Sequence, residues 1–393
     1  MNFTDFGLSQ RILGAIEKQN YVTSTPIQTE AIPYILDNKD LIGIAQTGTG
    51  KTAAYSLPIL EKLVREDNFD KKIKVLILSP TRELAIQIRD NIRDYGTYTK
   101  NKCGVVVGGV NQQSQVNVLK KGIDILVATP GRLLDLIKQR HVNLSNVNML
   151  VIDEADTMLD MGFIKDVEEI IKRTPEKRQT LLFSATMDKN VKTLASKFLT
   201  EPVTISVSPE TITVSKIKQK LYLVDPSNKL NLLLEILDTS KSNLIFTRTK
   251  HGADKLGLLL RKNHIDCGVI HGNKSQNQRL KALDDFKKGK INVLIATDIA
   301  ARGIDITELS YVINYDMPEH PEIYVHRIGR TARAGLEGTS ISLCTPDERK
   351  KLNDVERLIK KPLELIDSQY GIVNLDLPKE SNRSRKRQKY KRK

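Results

Sequence analysis

Short, largely apolar runs recur along this chain, each followed by a turn and then a helical pattern, and this constrains the fold most. In the first half they are Leu41–Ile44, Val75–Leu78, Val105–Val107, Ile125–Ala128, Met149–Ile152, Thr180–Phe183 and Val203–Ile205. Runs this short, β-rich and apolar on both faces read as buried parallel strands. Helical stretches such as Lys51–Val64 and Glu83–Tyr95 lie between them, an alternation that predicts a doubly wound α/β sheet. The second half repeats the scheme with Gln219–Leu223, Leu244–Phe246, Cys267–Ile270, Val293–Ala296, Tyr311–Asn314 and Ser340–Leu343. Residues 207–216 are polar and aperiodic and contain Pro209, so they read as a linker. The expected organisation is a domain over 1–206, the linker, a second domain over 217–367, and a disordered basic tail over 368–393.

The chain's 393 residues suffice for roughly two to three domains. Its formal charge of +15 points to a polyanionic partner, either nucleic acid or an acidic membrane surface. From Leu377 to the end there are nine Lys or Arg against the single acid Glu380, so the tail carries +8 of that excess. The three cysteines, Cys103, Cys267 and Cys344, have no zinc-like spacing and are expected as buried, reduced thiols. No run approaches the ~18 apolar residues of a membrane span, and the N-terminus lacks a secretory pattern. A cytoplasmic protein is expected.

The Leu41–Ile44 strand runs into Ala45-Gln46-Thr47-Gly48-Thr49-Gly50-Lys51-Thr52, with a helix behind. This is the strand–loop–helix setting of a phosphate-binding loop. Gly48 and Gly50 let backbone N–H groups turn toward phosphate oxygens, helped by the helix N-terminus. Thr47 and Thr49 belong to the same cradle, Lys51 would bridge the β- and γ-phosphates, and Thr52 would hold Mg²⁺. Ala45 stands where the general pattern has Gly. A nucleotide site also needs an acid at a strand tip, and Met149–Ile152 runs straight into Asp153-Glu154-Ala155-Asp156. Asp153 is placed to hold Mg²⁺, and Glu154 to act as general base on the attacking water.

That tetrapeptide is the signature after which the DEAD-box RNA helicases are named, and the chain resembles that family from about residue 3 to 345. The stretch Tyr21-Val22-Thr23-Ser24-Thr25-Pro26-Ile27-Gln28 looks like the Q motif, with Phe3 as its upstream aromatic. The resemblance implies that Gln28 reads adenine N6 and N7 and that Tyr21 stacks on the base. Asn20 and Ser24 depart from the usual Gly and Pro. Ser184-Ala185-Thr186 matches the third motif, whose hydroxyls, with Asp156, would link the acidic motif to domain closure.

In the second half, Ala296–Asp305 resembles motif V. It implies Thr297 on an RNA phosphate, Gly303 near the nucleotide and Asp305 on the ribose. His326–Gly335 resembles motif VI, with Arg327, Arg330 and Arg333 three apart and therefore on one face of a helix. Arg330 and Arg333 would reach the γ-phosphate, where arginine fingers add about 10³-fold or more in rate. Arg327 is expected in interdomain coupling. Ala332 replaces a common glycine. Pro80-Thr81-Arg82-Glu83-Leu84, Gly108-Gly109 and Thr129-Pro130-Gly131-Arg132 resemble RNA-contacting elements, implying Arg82, Gly109, Thr129 and Arg132 as phosphate contacts. Arg279 of Gln276-Asn277-Gln278-Arg279 joins them, and Arg248 and Lys250 fall in motif IV. His271-Gly272 is expected to be structural.

The family implies two tandem RecA-like doubly wound parallel-sheet domains. It also implies an ATP- and Mg²⁺-dependent RNA helicase that opens short duplexes locally and remodels RNA–protein complexes, compact in the manner of bacterial members. Its RNA contacts would be largely sequence-independent, in ribosomal or RNA-decay assemblies and away from membranes. The same residues would serve an ATP-driven clamp that does not unwind, which a duplex-release assay separates. A DNA translocase would respond to DNA as strongly as to RNA. A small-molecule kinase would not need the spaced arginines of the second half.

Overall fold

The chain is described by a computed structural model over residues 1–46, 48–66, 70–207, 217–301, 309–331 and 338–372. It forms two compact units, one around each of two sheets. The first sheet holds β1 (Leu41–Ile44), β2 (Val75–Leu78), β3 (Cys103–Val106), β4 (Ile125–Ala128), β5 (Met149–Ile152), β6 (Gln179–Ser184) and β7 (Val203–Ser206). The second holds β8 (Ile217–Leu223), β9 (Asn243–Phe246), β10 (Gly268–Ile270), β11 (Val293–Ala296), β12 (Tyr311–Asn314), β13 (Gly338–Cys344) and β14 (Glu364–Leu365).

Both sheets are parallel throughout, and their strand orders are the same permutation: β3-β4-β2-β5-β6-β1-β7 and β10-β11-β9-β12-β13-β8-β14. The apolar runs become strands because both faces are covered. Along β2, Val75 and Ile77 enter one core while Leu76 and Leu78 enter the other. In β6, Leu181 and Phe183 face the first core and Leu182 the second. Period-two alternation between two dry faces explains runs with no polar side.

β14 was not among the expected strands. Beyond it the chain stays on the sheet: Ile366 N–H donates to the Leu221 carbonyl at 2.8 Å and Ile372 N–H to the Leu223 carbonyl at 2.9 Å. The folded part thus passes the expected end at residue 367, because Ile366, Tyr370 and Ile372 have apolar surface to bury against the second unit. The expected linker from residue 208 and the tail from residue 373 lie outside the described residues. Cys267 and Cys344 are buried as expected, whereas Cys103 is half-buried on the edge strand β3. Among the described residues, no helix is long and apolar enough to cross a membrane.

Candidate nucleotide site and nucleic-acid surface

In parallel α/β sheets ligands gather at the carboxyl ends of strands. The first sheet divides its carboxyl edge in two. The loops after β1, β5 and β6 carry the residues expected at a nucleotide, and those after β2, β3 and β4 carry those expected at RNA.

Gly48 and Gly50 take φ of +83° and +91°, the left-handed backbone the loop was expected to need. Ala45 is buried and donates its N–H to the Ser184 carbonyl at 2.9 Å; its φ is not positive, so alanine replaces glycine there without strain. Lys51 opens the helix Lys51–Glu66 and donates from Nζ to the Ala45 carbonyl at 2.8 Å. A neutral carbonyl is a modest partner for a buried ammonium, so anionic phosphate oxygens can draw it away. The Thr49 hydroxyl braces the loop by donating to the Gln46 carbonyl at 2.8 Å. Thr47 lies outside the described residues.

Gln28 is buried, caps its own helix by accepting the Thr25 N–H at 2.9 Å, and donates Nε2 to the Gly50 carbonyl at 3.1 Å. The Q motif therefore rests on the phosphate loop, and a methyl group on Gly50 would strike the Gln28 amide. Gln28 keeps one donor and one acceptor for a base. Asn20 has φ +58°, so the position that usually takes glycine keeps the left-handed conformation with a residue that tolerates it. Ser24 uses an N–H that proline lacks, donating to the Met1 carbonyl at 3.0 Å. Tyr21 is exposed by 38%, stacks at 6.1 Å on the buried Phe3 ring, and shares a 3.0 Å hydroxyl contact with Tyr95. Phe3 therefore supports Tyr21 from beneath.

Asp153 directly follows β5 and lines the cleft. Burial pushes its carboxyl up to about 6, and the Lys51 charge and the Tyr55 hydroxyl hold it back from going higher. Tyr55 Oη donates to Asp153 Oδ2 at 2.9 Å, and the Glu154 N–H to Oδ1 at 2.9 Å. Tyr55 itself rises well above its ordinary value, through burial first and then the adjacent Asp153. Glu154 has φ +51°, a conformation that costs a glutamate on the order of 1–2 kcal/mol and turns the chain sharply between strand and helix. Asp156 Oδ2 accepts from Ala185 N–H at 3.1 Å, Thr186 N–H at 3.0 Å and Thr186 Oγ1 at 3.2 Å. Its own N–H reaches Ser184 Oγ at 3.4 Å. The acidic motif and the Ser184-Ala185-Thr186 turn are one bonded unit.

Tyr21, Gly48, Gly50, Lys51, Thr52, Asp153 and Glu154 line one open cleft of about 190 Å³, together with Leu84, Gln87, Asn91 and Tyr95. The last four were not anticipated. Gln87, Asn91 and Tyr95 follow at i, i+4 and i+8 on the helix Arg82–Tyr95, so the spacing was there to be read. Tyr55 was also missed, although it lies one helical turn beyond Lys51.

On the other half of the edge, Gly109 has φ +73°, and a methyl group there would collide with the Arg82 guanidinium. The paired glycines form the seat on which Arg82 lies. Thr129 precedes the helix Pro130–Lys138, and Arg132 Nη1 donates to the Val110 carbonyl at 3.4 Å. Arg82, Gly109, Thr129 and Arg132 therefore share adjacent strand ends.

In the second unit, Thr297 follows β11 and is buried, and Arg279 is buried on the helix Gln276–Lys287. Arg327 is almost wholly enclosed. Its Nε and Nη2 pair with Asp298 at 2.6 and 2.7 Å, Nη1 donates to Asn314 Oδ1 at 2.9 Å and the Asp316 carbonyl at 2.8 Å, and Phe246 lies 4.8 Å beneath. The expected single helical face for the arginines is corrected: the helix Pro321–Ile328 stops before Gly329, so Arg330 lies past its end. The chain leaves the helix through turn hydrogen bonds, Gly329 N–H to the Val325 carbonyl at 3.0 Å and Arg330 N–H to the Arg327 carbonyl at 3.1 Å. Arg330 is buried, its carbonyl accepting the Leu309 N–H at 3.3 Å. Gly303, Asp305, Ala332 and Arg333 lie outside the described residues.

Residues 25–194 match the family described as DEAD/DEAH box helicase, and residues 228–335 the helicase conserved C-terminal domain. The chain is 44% identical over 366 residues to the DEAD-box ATP-dependent RNA helicase CshA of Bacillus subtilis, covering 93% of this chain and 74% of that protein. Among solved structures it is similar to S. cerevisiae Dbp5 bound to RNA and ADP BeF3. That match has a TM-score of 0.83 at 31% identity over 93% of this chain and 95% of that one. A DEAD box protein from Methanococcus jannaschii matches at 40% identity and a TM-score of 0.54, over 93% and 99% of the two chains. With the Gly48–Thr52 loop and the acidic strand tip lining one cleft, and the turn after β6 bonded to that acidic motif, the chain belongs to the ATP-hydrolysing DEAD-box ATP-dependent RNA helicases.

Proposed function

We propose that the chain binds single-stranded RNA through its sugar–phosphate backbone and couples RNA-stimulated ATP hydrolysis to domain closure, with local, non-processive opening of short duplexes. The observation that carries this reading is the bonded unit Asp156–Ser184–Ala185–Thr186 beside Lys51, Asp153 and Glu154. A change at the triphosphate has a direct hydrogen-bonded route into the turn after β6. Lys51 exchanges the Ala45 carbonyl for phosphate oxygens, Gln28 and Tyr21 hold the base, and Glu154 orients the attacking water and takes its proton. Arg330 and Arg333 supply positive charge to the γ-phosphate in this reading.

Mg²⁺ fits the donor set: Asp153 is a buried carboxylate raised by desolvation, and Thr52 is a hydroxyl beside it, both hard oxygen ligands. When bound, the ion neutralises charge on the phosphates. Arg82, Gly109, Thr129, Arg132, Arg279 and Thr297 are proposed as the RNA contacts. Structured RNA in ribosomal or RNA-decay assemblies of the cytoplasm is the proposed setting. The test is ATPase activity with no nucleic acid, with RNA and with DNA of the same sequence. RNA should stimulate well above DNA, and Lys51→Ala should abolish the stimulated rate. Normal turnover in that variant would remove the phosphate-loop assignment.

A further inference from the structure

The first helix after the first strand begins with a lysine in both units. Lys51 opens the helix after β1, and Lys229 opens the helix Lys229–Ile236 after β8. Because each strand of the first sheet has its counterpart seven strands later, these are equivalent positions. A cation at a helix N-terminus opposes the helix dipole and calls for an anion. At Lys51 nucleotide phosphates answer that need. At Lys229 the protein supplies the anions itself: Nζ lies 2.8 Å from Asp316 Oδ1 and 3.3 Å from Glu348 Oε2, with the Tyr315 ring at 5.1 Å.

The remaining oxygens are also engaged. Asp316 Oδ2 accepts the Arg248 N–H at 2.9 Å, and Glu348 Oε1 accepts the Met317 N–H at 3.1 Å. Thr345 Oγ1 lies 3.1 Å from Glu348 Oε2. The Asp316 carbonyl receives Arg327 Nη1 at 2.8 Å. Asp316 is thus one residue holding Lys229, the start of the Arg248 loop after β9, and the Arg327 guanidinium.

We propose that Lys229, Asp316 and Glu348 form an internal clasp at the place where the first sheet takes nucleotide. In it Lys229 is a positioning residue that sets Arg248 and Arg327 for RNA-coupled turnover. The inference rests on the RNA-stimulated ATPase reading above. With the ammonium gone, two neighbouring carboxylates repel and Asp316 shifts, carrying both arginines off register; misplacement on the order of 1 Å can cost about 100-fold.

The test uses the full chain with poly-uridine RNA and a fluorescent ATP analogue. Lys229→Met should raise the RNA concentration for half-maximal ATPase about tenfold and lower the stimulated rate. Analogue affinity without RNA should stay within about twofold of wild type. Lys229→Arg, which restores the cation, should recover most of the loss. Should Lys229→Met fail to fold, Glu348→Gln decides, since it keeps hydrogen-bonding groups while removing one charge and should weaken RNA half-saturation alone. Unchanged RNA half-saturation in the folded variant, or ATP affinity falling in step with it, overturns the clasp while wild type remains RNA-stimulated. A wild type indifferent to RNA would instead sink the functional reading and this inference with it.

Discussion

At the scale of single residues, the surroundings of Asp153 set its charge. Its carboxyl is raised from 3.8 to about 6, so in the folded protein it takes a proton at a pH where the unfolded chain has already lost it. Stability from this group therefore falls as pH rises from about 4 to about 6, and the cost of the buried charge persists at neutral pH until a cation offsets it. Two outcomes follow from the sign. Affinity for Mg²⁺–ATP should drop as pH falls through about 6, because protons then compete for Asp153. Tyr55→Phe should move that acid limb upward by less than about one unit, since the lost hydroxyl is one of the groups holding the carboxyl down. Nucleotide titrations from pH 5 to 8 read both, and a limb unmoved by Tyr55→Phe would remove the tyrosine from the site. Glu154→Gln should leave ATP and RNA binding intact while turnover slows, giving a long-lived complex; rapid RNA release in a filter-binding chase would contradict its role as base.

At the scale of elements, the strands were legible because a run apolar on both faces has few alternatives to a buried parallel strand. β2, β4, β5, β11 and β12 begin and end where the apolar runs do. β14 was illegible for the converse reason: Glu364 and Leu365 are both exposed and pair only at the sheet edge. The end of the helix Pro321–Ile328 was misread because a three-residue spacing matches a helix whether or not the helix continues. The Gly108-Gly109 turn shows what motif spacing alone leaves out. Its role rests on contact with Arg82, which belongs to another strand's loop. Gly109→Ala should displace that guanidinium and weaken RNA binding at low salt, with ATP affinity changed far less, because the Gly48–Lys51 loop and the Asp153-Glu154 tip follow other strands. RNA affinity equal to wild type would leave the paired glycines as a turn and nothing more.

At the scale of the whole molecule, two sheets share one strand order and differ in the groups around the lysine that opens the helix after their first strand. The repeat was legible as two series of apolar runs, and most residues lining the cleft of the first were legible as candidates because they lie close along the chain around β1 and β5. The fate of the second sheet's equivalent edge was not. Lys229 meets partners 87 and 119 residues away, and no local pattern announces that carboxylates fill the anion's place. A buried cation already held by two carboxylates has no charge to spare for phosphate, and displacing them would leave both uncompensated. The chain should therefore bind ATP with a stoichiometry of one, at the first sheet alone, although both sheets offer a lysine at the same topological position. Calorimetric titration with a non-hydrolysable ATP analogue reads this directly, and Lys51→Ala should abolish the signal while Lys229→Met leaves it. A second equivalent of nucleotide, lost in Lys229→Met, would show that the second edge remains open to anions.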